Sequence, residues 1–213
     1  CARRASGQKP RDAYNDLGLY CGDDSIEYII PLDSHTRIVK ELGLSAKAEI
    51  IKVGDPIPYL SRYFSATASI CDLNRALPKM HISAHKLDDA RLNWANKLHG
   101  YLTTDSLTPV LGLWCAYNLK KLADEGIKPN LAKADHELQE KIKQGPWPQD
   151  SSVEELACIT MEWTPSQIRA WEKEIQSGNV PVIINPEYED RPDATVNFAD
   201  PVVDQYVPNN CLY

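Results

Sequence analysis

The chain has 213 residues, of which 43% are hydrophobic and 25% charged, with a formal net charge of -7. This is an ordinary globular composition, and no apolar run approaches the about twenty residues of a membrane-spanning helix. The six cysteines are scattered without a Cys-x-x-Cys pair, which favours neither a zinc site nor a dense disulfide framework. Residues 151–213 hold 11 acidic against 3 basic residues. The acidity thus lies in the tail, and the body is free to carry a local basic groove.

The first seventy residues alternate short apolar runs with turn residues. Residues 10–17 predict a short helical turn that ends at Gly18. Residues 19–21 and 25–30 are apolar and rich in β-formers, and the triplet Gly-Asp-Asp lies between them. This pattern predicts a β-hairpin with the triplet at its tip.

A helix and two further extended segments are predicted next. Asp33 can cap a helix that runs to residue 42 and stops at Gly43. Residues 48–53 alternate apolar and polar side chains, which predicts a strand. Residues 57–68 predict a second hairpin, rich in aromatic side chains.

After residue 71 the apolar spacing becomes helical. It predicts one helix that ends at Gly100 and a second whose apolar positions begin at Leu107 and which ends at Gly126. A third helix begins at Thr164 with the capping-box signature Thr-Pro-x-Gln and runs to Gly178. The remaining residues, rich in proline and acids, predict extended or disordered chain. The sequence therefore predicts an α+β fold in which about seventy mixed residues precede an all-helical part.

The triplet Gly22-Asp23-Asp24 is the candidate site. Alone it is weak evidence, because glycine and aspartate are ordinary turn residues. Its position between two apolar strands adds weight, since two adjacent carboxylates on a tight turn repel each other unless a cation lies between them. Hard divalent cations prefer such oxygen ligands, and the glycine lets another backbone or a nucleic-acid strand approach closely.

In their order along the chain, these segments resemble the palm of positive-strand RNA virus RNA-dependent RNA polymerases. Residues 19–26 resemble motif C of that family, residues 34–53 motif D and residues 58–64 motif E. The lead-in 5–19 and the segment 100–109 are most similar to nodavirus and nodavirus-like replicases.

The resemblance implies the C-terminal part of a right-hand polymerase palm, built from antiparallel β hairpins and a helix, followed by an all-helical thumb. We accordingly divide the chain into the C-terminal half of the palm in residues 1–70, the thumb in residues 71–178 and an extended, acidic, proline-rich tail in residues 179–213.

The same resemblance implies template-directed nucleotidyl transfer by two divalent ions, Mg²⁺ or Mn²⁺. Asp23 would be the principal metal ligand, Asp24 the second ligand and Gly22 the turn residue. Motif D carries a lysine that protonates the leaving pyrophosphate, and Lys47 and Lys52 both lie in the right stretch.

Motif E of this family grips the end of the growing strand, which assigns Tyr59, Leu60, Ser61 and Arg62 to the RNA or primer grip. Arg62 could contact strand phosphates or be an ordinary arginine at a strand edge. The implied partners are the RNA template, the product strand and nucleoside triphosphates. The implied location is a viral replication complex in the host cytoplasm.

The sequence lacks a recognisable motif A aspartate, the motif B serine–glycine start and the basic motif F of the fingers. We therefore expect a truncated or split polymerase, whose remaining part lies on the same chain or on a second chain, and no polymerisation by this chain alone. Residues 1–4 would be the last turn of the motif B helix.

Two other functions remain open. A helical viral structural or nucleocapsid-type protein would make Gly-Asp-Asp a coincidental turn, and a binding module could use the acidic tail to recruit a partner. A palm requires the Gly-Asp-Asp hairpin to pair in one antiparallel sheet with the strand at 48–53, whereas a structural subunit does not.

Overall fold

The computed structural model describes ten stretches of the chain, which are residues 2–5, 7–22, 24–28, 32–45, 47–80, 82–83, 89–134, 136–144, 146–180 and 187–188. Asp23 and nearly all of the predicted tail lie outside these described residues. The secondary structure confirms an α+β chain, with short antiparallel strands early and helices predominating later.

In its described residues, the early part contains three helices and five short strands. These are α1 (Ala2–Ala5), α2 (Pro10–Asn15), β1 (Leu19–Cys21), β2 (Asp24–Ile26), α3 (Leu32–Glu41), β3 (Ile57–Tyr59), β4 (Arg62–Phe64) and β5 (Ser69–Cys71). Strands β1 and β2 form a two-stranded antiparallel sheet, and β3, β4 and β5 form a three-stranded antiparallel sheet in that order.

The later part is mainly helical. Its elements are α4 (Leu73–Ala76), β6 (Ile82–Ser83), α5 (Ala90–Asp105), α6 (Leu111–Asp124), α7 (His136–Gln144), α8 (Val153–Met161), α9 (Pro165–Ser177) and β7 (Glu187–Tyr188), with two short 3₁₀ turns at Leu77–Lys79 and Leu131–Lys133. Strands β6 and β7 pair in parallel over two residues. None of the helices in the described stretches is long and apolar enough to cross a membrane.

The predicted hairpin around Gly-Asp-Asp is confirmed. Cys21 pairs with Asp24, so the connection is a two-residue turn whose first residue, Gly22, has φ +61°. Hairpins prefer such turns because their left-handed residues match the twist of the strands. Gly18 is also needed, because a Cβ there would lie 1.9 Å from the backbone oxygen of Ile26.

The strand predicted at residues 48–53 is wrong. None of these residues is assigned to a strand, and the Ile50 and Val53 side chains are 76% and 107% exposed. Alternation stabilises a strand only when a neighbouring strand takes its hydrogen bonds and an apolar layer covers one face. Neither is present beside this segment in the described part of the chain, so the β1–β2 hairpin has no third strand there.

The second hairpin is confirmed and extends further than predicted. The two residues Leu60 and Ser61 connect β3 to β4, and β4 then pairs with β5. All three residues of β5 are buried. A buried run of three residues carries no alternation, which explains why the sequence pattern did not reveal it.

Two helix boundaries differ from the prediction. Helix α5 continues past Gly100 to Asp105, because this glycine serves close packing: a Cβ there would lie 2.6 Å from Leu138 on α7. Helix α6 begins only at Leu111, since Val110 has a non-helical φ of +66°. The capping box at Thr164 is confirmed, and α9 ends at Gly178 with φ +77°.

The hydrophobic core lies between helices α5, α6 and α8 and extends to β5 and α4. Trp94 of α5 meets Trp114 of α6 edge-on, with ring centroids 5.9 Å apart. The largest fully buried apolar side chains of the core are Trp94, Ile70, Leu73, Leu98, Leu111, Leu122 and Ile168. Burying a side chain of this size stabilises the fold by roughly 1.5–3 kcal/mol. The core therefore supports the hairpin formed by β3 and β4, which we call the grip hairpin after its predicted role.

Candidate functional site

A cleft of about 200 Å³ lies between the β1–β2 hairpin and the grip hairpin; we call it the hairpin cleft. Its lining side chains come from β2, from the grip hairpin and from the start of α4. They are Asp24, Ser25, Pro58, Tyr59, Leu60, Ser61, Arg62, Tyr63, Asp72 and Arg75. The fold thus brings residues of the predicted motifs C and E to one place.

A larger cavity of about 290 Å³ lies among the helices, lined mainly by apolar side chains such as Met80, Trp114 and Ile175. None of the predicted site residues lines it. The predicted chemistry needs charged and polar groups, so the hairpin cleft is the better candidate despite its smaller volume.

The carboxylates that line the hairpin cleft include Asp24, one of the two predicted metal ligands. Asp24 is exposed and lines the hairpin cleft, while Asp23 lies outside the described residues. Asp72 lines the same cleft, and its Oδ1 is buried without a hydrogen-bond partner in the described structure. These oxygens are the type that Mg²⁺ prefers, yet the described residues contain no group of three metal-ligating side chains. The donor chemistry therefore fits a hard cation, provided that further ligands come from elsewhere.

Tyr59 links the two hairpins electrostatically. Partial removal from water raises the pKa of Tyr59, and the neighbouring Cys21 and Asp24 raise this pKa further. The phenol therefore stays protonated at neutral pH and remains a hydrogen-bond donor facing the cleft.

The turn between β3 and β4 is strained; we call Leu60 and Ser61 the grip turn. Both residues are left-handed, with φ +50° and +60°, although neither is glycine. Each left-handed residue with a side chain costs roughly 1–2 kcal/mol. The backbone N–H of Asp72 donates to the Ser61 carbonyl at 2.9 Å and holds the turn. Strain that the surroundings maintain is common at ligand-binding sites.

The Arg62 side chain is held by protein partners, although the residue lines the hairpin cleft. Its guanidinium donates to both carboxylate oxygens of Asp105, at 2.8 and 3.1 Å, and to Ser69 Oγ at 3.0 Å. It also stacks over the Trp147 ring, 5.2 Å from the centroid. The two charged side chains are only 10% and 1% exposed. The structure therefore gives Arg62 a protein partner, and its predicted contact with RNA stays a prediction.

Asp105 is the centre of this buried network and was missed by the sequence analysis. It also accepts hydrogen bonds from the Cys71 backbone at 2.8 Å, Thr104 Oγ1 at 2.7 Å and Thr108 Oγ1 at 3.0 Å. A signal existed, because an acid in the last turn of an apolar helix is unfavourable unless it has a partner. The network fixes the grip hairpin to the end of α5.

The two candidate general-acid lysines do not line the hairpin cleft. Lys47 is 92% exposed and lies 3.8 Å from Glu49, and Lys52 is also exposed. Both belong to the segment whose predicted strand does not form. Their catalytic role, and the choice between them, stay predictions.

The chain is similar in sequence to a defined class of protein, viral RNA polymerases. No family model matches it. It is 28% identical over 209 residues to the RNA-directed RNA polymerase of Pieris rapae virus, covering 92% of this chain and 20% of that protein. It is 27% identical over 212 residues to that of Pariacoto virus, covering 92% and 21%, and 32% identical over 120 residues to that of Flock house virus, covering 53% and 12%.

The similarity confirms the resemblance to nodavirus polymerases that the sequence motifs indicated. The relatives, at 27–32% identity, are named RNA-directed RNA polymerase and come from nodaviruses. The chain spans about a fifth, or less, of the length of the curated relatives it matches.

Proposed function

We propose that the chain is one part of a viral RNA-dependent RNA polymerase, with the end of the palm in residues 1–70 and the thumb in residues 71–178. The observation that carries this proposal is the meeting of the Gly-Asp-Asp hairpin and the grip hairpin at one cleft. A polymerase needs this arrangement, because metal ligands must lie beside the end of the growing strand.

The remaining polymerase, on the same or a second chain, would supply motifs F, A and B. The surface of the early part supports such a partner, since many of its large apolar side chains are exposed. They include Leu19 at 63%, Leu44 at 65%, Ile50 at 76% and Val53 at 107% exposed. An apolar surface of this kind is suited to contact with further protein.

In the proposed mechanism, Asp23 and Asp24 would hold divalent cations at the hairpin tip. When bound, the two ions lower the pKa of the attacking 3′-hydroxyl and stabilise the leaving pyrophosphate. The grip turn would orient the end of the product strand, and the protonated Tyr59 phenol would donate to its sugar or phosphate. Lys47 or Lys52 would protonate pyrophosphate after a movement of the exposed segment that carries both.

The substrates would be an RNA template, a product strand and nucleoside triphosphates, and the site of action a replication complex in the host cytoplasm. A helical structural protein remains the alternative, since the β1–β2 hairpin does not pair with residues 48–53. The similarity to named polymerases over 92% of the chain favours the polymerase.

The first test is Asp23→Asn in a complete polymerase containing this sequence. This change removes one metal-binding charge and almost no volume, so we expect RNA synthesis to fall by about 100-fold or more, with an unchanged melting temperature. Asp24→Asn should be milder and should alter the metal preference. Wild-type incorporation by Asp23→Asn with Mg²⁺ would refute the assignment.

The second test is primer extension by the purified chain, with and without a protein segment that supplies motifs F, A and B. Two-metal catalysis needs carboxylates from two palm strands, and the sequence offers one recognisable strand of this kind. We expect incorporation only with the added segment. Efficient incorporation by the chain alone would contradict this expectation.

A further inference from the structure

We infer that Arg75, rather than Arg62, is the cation of the hairpin cleft and binds a backbone phosphate of the RNA strand held at the grip turn. The inference rests on the proposed function and deepens it, because it names the group that recognises the strand. The ligand class is a phosphodiester of single-stranded nucleic acid near the strand end.

Arg62 is poorly suited to this role. Its two terminal nitrogens are taken by Asp105 and Ser69, and its plane is covered by Trp147. Turning it towards RNA would leave the Asp105 carboxylate, 1% exposed, without its charged partner. Breaking a buried ion pair in this way is strongly unfavourable, because it leaves an uncompensated charge in the protein interior.

The surroundings of Arg75 leave its guanidinium accessible, in contrast to those of Arg62. It is exposed on α4 and lines the hairpin cleft together with Asp24 and Ser61. Its side chain has no hydrogen-bond or ion-pair partner anywhere in the described stretches. A guanidinium can therefore bind phosphate here, by two parallel N–H···O bonds, without losing an existing interaction.

The backbone beneath Arg75 is fixed relative to the grip turn. Leu73 and Ala76 on the same helix are buried in the core. Asp72, immediately before the helix, donates its backbone N–H to the Ser61 carbonyl at 2.9 Å. The Arg75 side chain is thus exposed and unpartnered in the described stretches, while the backbone that carries it is anchored to the core and to the grip turn.

The charges of the cleft require such a cation. Asp24 and Asp72 both line it, and their carboxylates repel a phosphate backbone. Divalent ions would offset this repulsion at Asp24, and Arg75 would add a positive charge to the same cleft. Tyr59 and Tyr63, which also line the cleft, offer aromatic faces for a base or sugar.

The test is fluorescence anisotropy of a short fluorescein-labelled single-stranded RNA titrated with the full 213-residue chain, at several NaCl concentrations in EDTA. Arg75→Gln should weaken binding by about 3- to 10-fold at low salt and reduce the slope of log K against log salt by about 0.7, the loss of one phosphate contact. Arg75→Lys should keep the slope, because it keeps the charge.

The matched control is Arg169→Gln on α9. Arg169 is 66% exposed and lies outside the cleft, so the Arg169→Gln variant should bind RNA like wild type.

Three outcomes would overturn the inference. Unchanged affinity and slope for Arg75→Gln would exclude the phosphate contact. If the wild type binds RNA in the same experiment, this result would leave the proposed function standing. Loss of binding in a folded Arg62→Gln variant, with Arg75→Gln unaffected, would return the role to Arg62. A wild-type chain that binds no RNA even at low salt would count against the proposed function itself.

Discussion

Residues 2–61 and residues 68–177 are stabilised in very different ways. In the described part of the first region only Arg3 and Ala13 are buried, and helix α3 has no buried residue. The second region contains the whole hydrophobic core. The predicted metal ligands, lysines and grip turn all lie in the first region, so the candidate chemistry is displayed on segments with little stability of their own. The early region therefore depends for its stability on contacts made outside itself.

The three-stranded sheet joins the two regions. Exposure falls from strand to strand, since β3 is largely exposed, β4 half-buried and β5 fully buried. The ion pair between Arg62 and Asp105 crosses this boundary, from β4 to the end of α5. Among the described residues of the predicted site, those of the grip hairpin are consequently the ones that rest directly on the core.

Loss of the ion pair between β4 and α5 should destabilise the protein strongly. Asp105→Ala leaves a buried guanidinium without its partner and removes the acceptor for the Cys71 N–H. We expect the free energy of unfolding to fall by about 3–5 kcal/mol in a urea titration. Asp105→Asn, which keeps one oxygen acceptor, should lose less.

The matched control for this change is Asp24→Ala in the early region. Asp24 is exposed and makes no described ion pair, so its removal should change the free energy of unfolding by less than about 0.5 kcal/mol. Equal losses for the two aspartates would show that the contrast between the regions is wrong.

The second prediction concerns alkaline pH. Burial raises the pKa of the Cys115 thiol, and Asp105 raises this pKa further. Burial likewise raises the pKa of Cys71 well above the ordinary value of 9.0, again with a contribution from Asp105. In the unfolded chain these thiols lose their protons above about pH 9, whereas in the folded chain they keep them. The unfolded state is therefore favoured as the pH rises.

The free energy of unfolding should decline above pH 9, by up to about 1.4 kcal/mol per pH unit for each buried thiol. Cys115→Ala removes one of the two buried thiols, so its free energy of unfolding should decline less steeply with pH. The variant also leaves a small cavity, which lowers its stability at every pH. Urea titrations between pH 7 and about pH 10.5 measure the slope. The exposed Cys21 provides the control, because Cys21→Ala should leave the slope unchanged. An unchanged slope in Cys115→Ala would contradict the prediction.

Local chemistry was sufficient to predict some of these elements. Two hairpins and the α9 capping box follow from turn and capping residues that act within a few positions. The false strand at 48–53 shows the limit, because a strand needs a partner that its own pattern does not contain. The 43-residue separation of Arg62 and Asp105 exceeds the reach of any local pattern. The predicted helix ended too early, at Gly100, for the same reason. The close packing that requires this glycine involves Leu138, which is too distant in sequence for a local pattern to reveal.

A smaller change in stability is expected at the grip turn, where the exposed early region meets the later region that contains the core. Leu60 and Ser61 occupy left-handed conformations that asparagine and glycine adopt at much lower cost. The double change Leu60→Asn with Ser61→Gly should raise the free energy of unfolding by about 1 kcal/mol, after allowance for the greater freedom of glycine in the unfolded chain. Leu60 is 43% exposed, so little packing is lost.

If the turn serves the RNA strand, this more stable variant should bind labelled RNA less tightly than wild type. Higher stability with unchanged RNA affinity would show that the strained turn has no part in holding the strand.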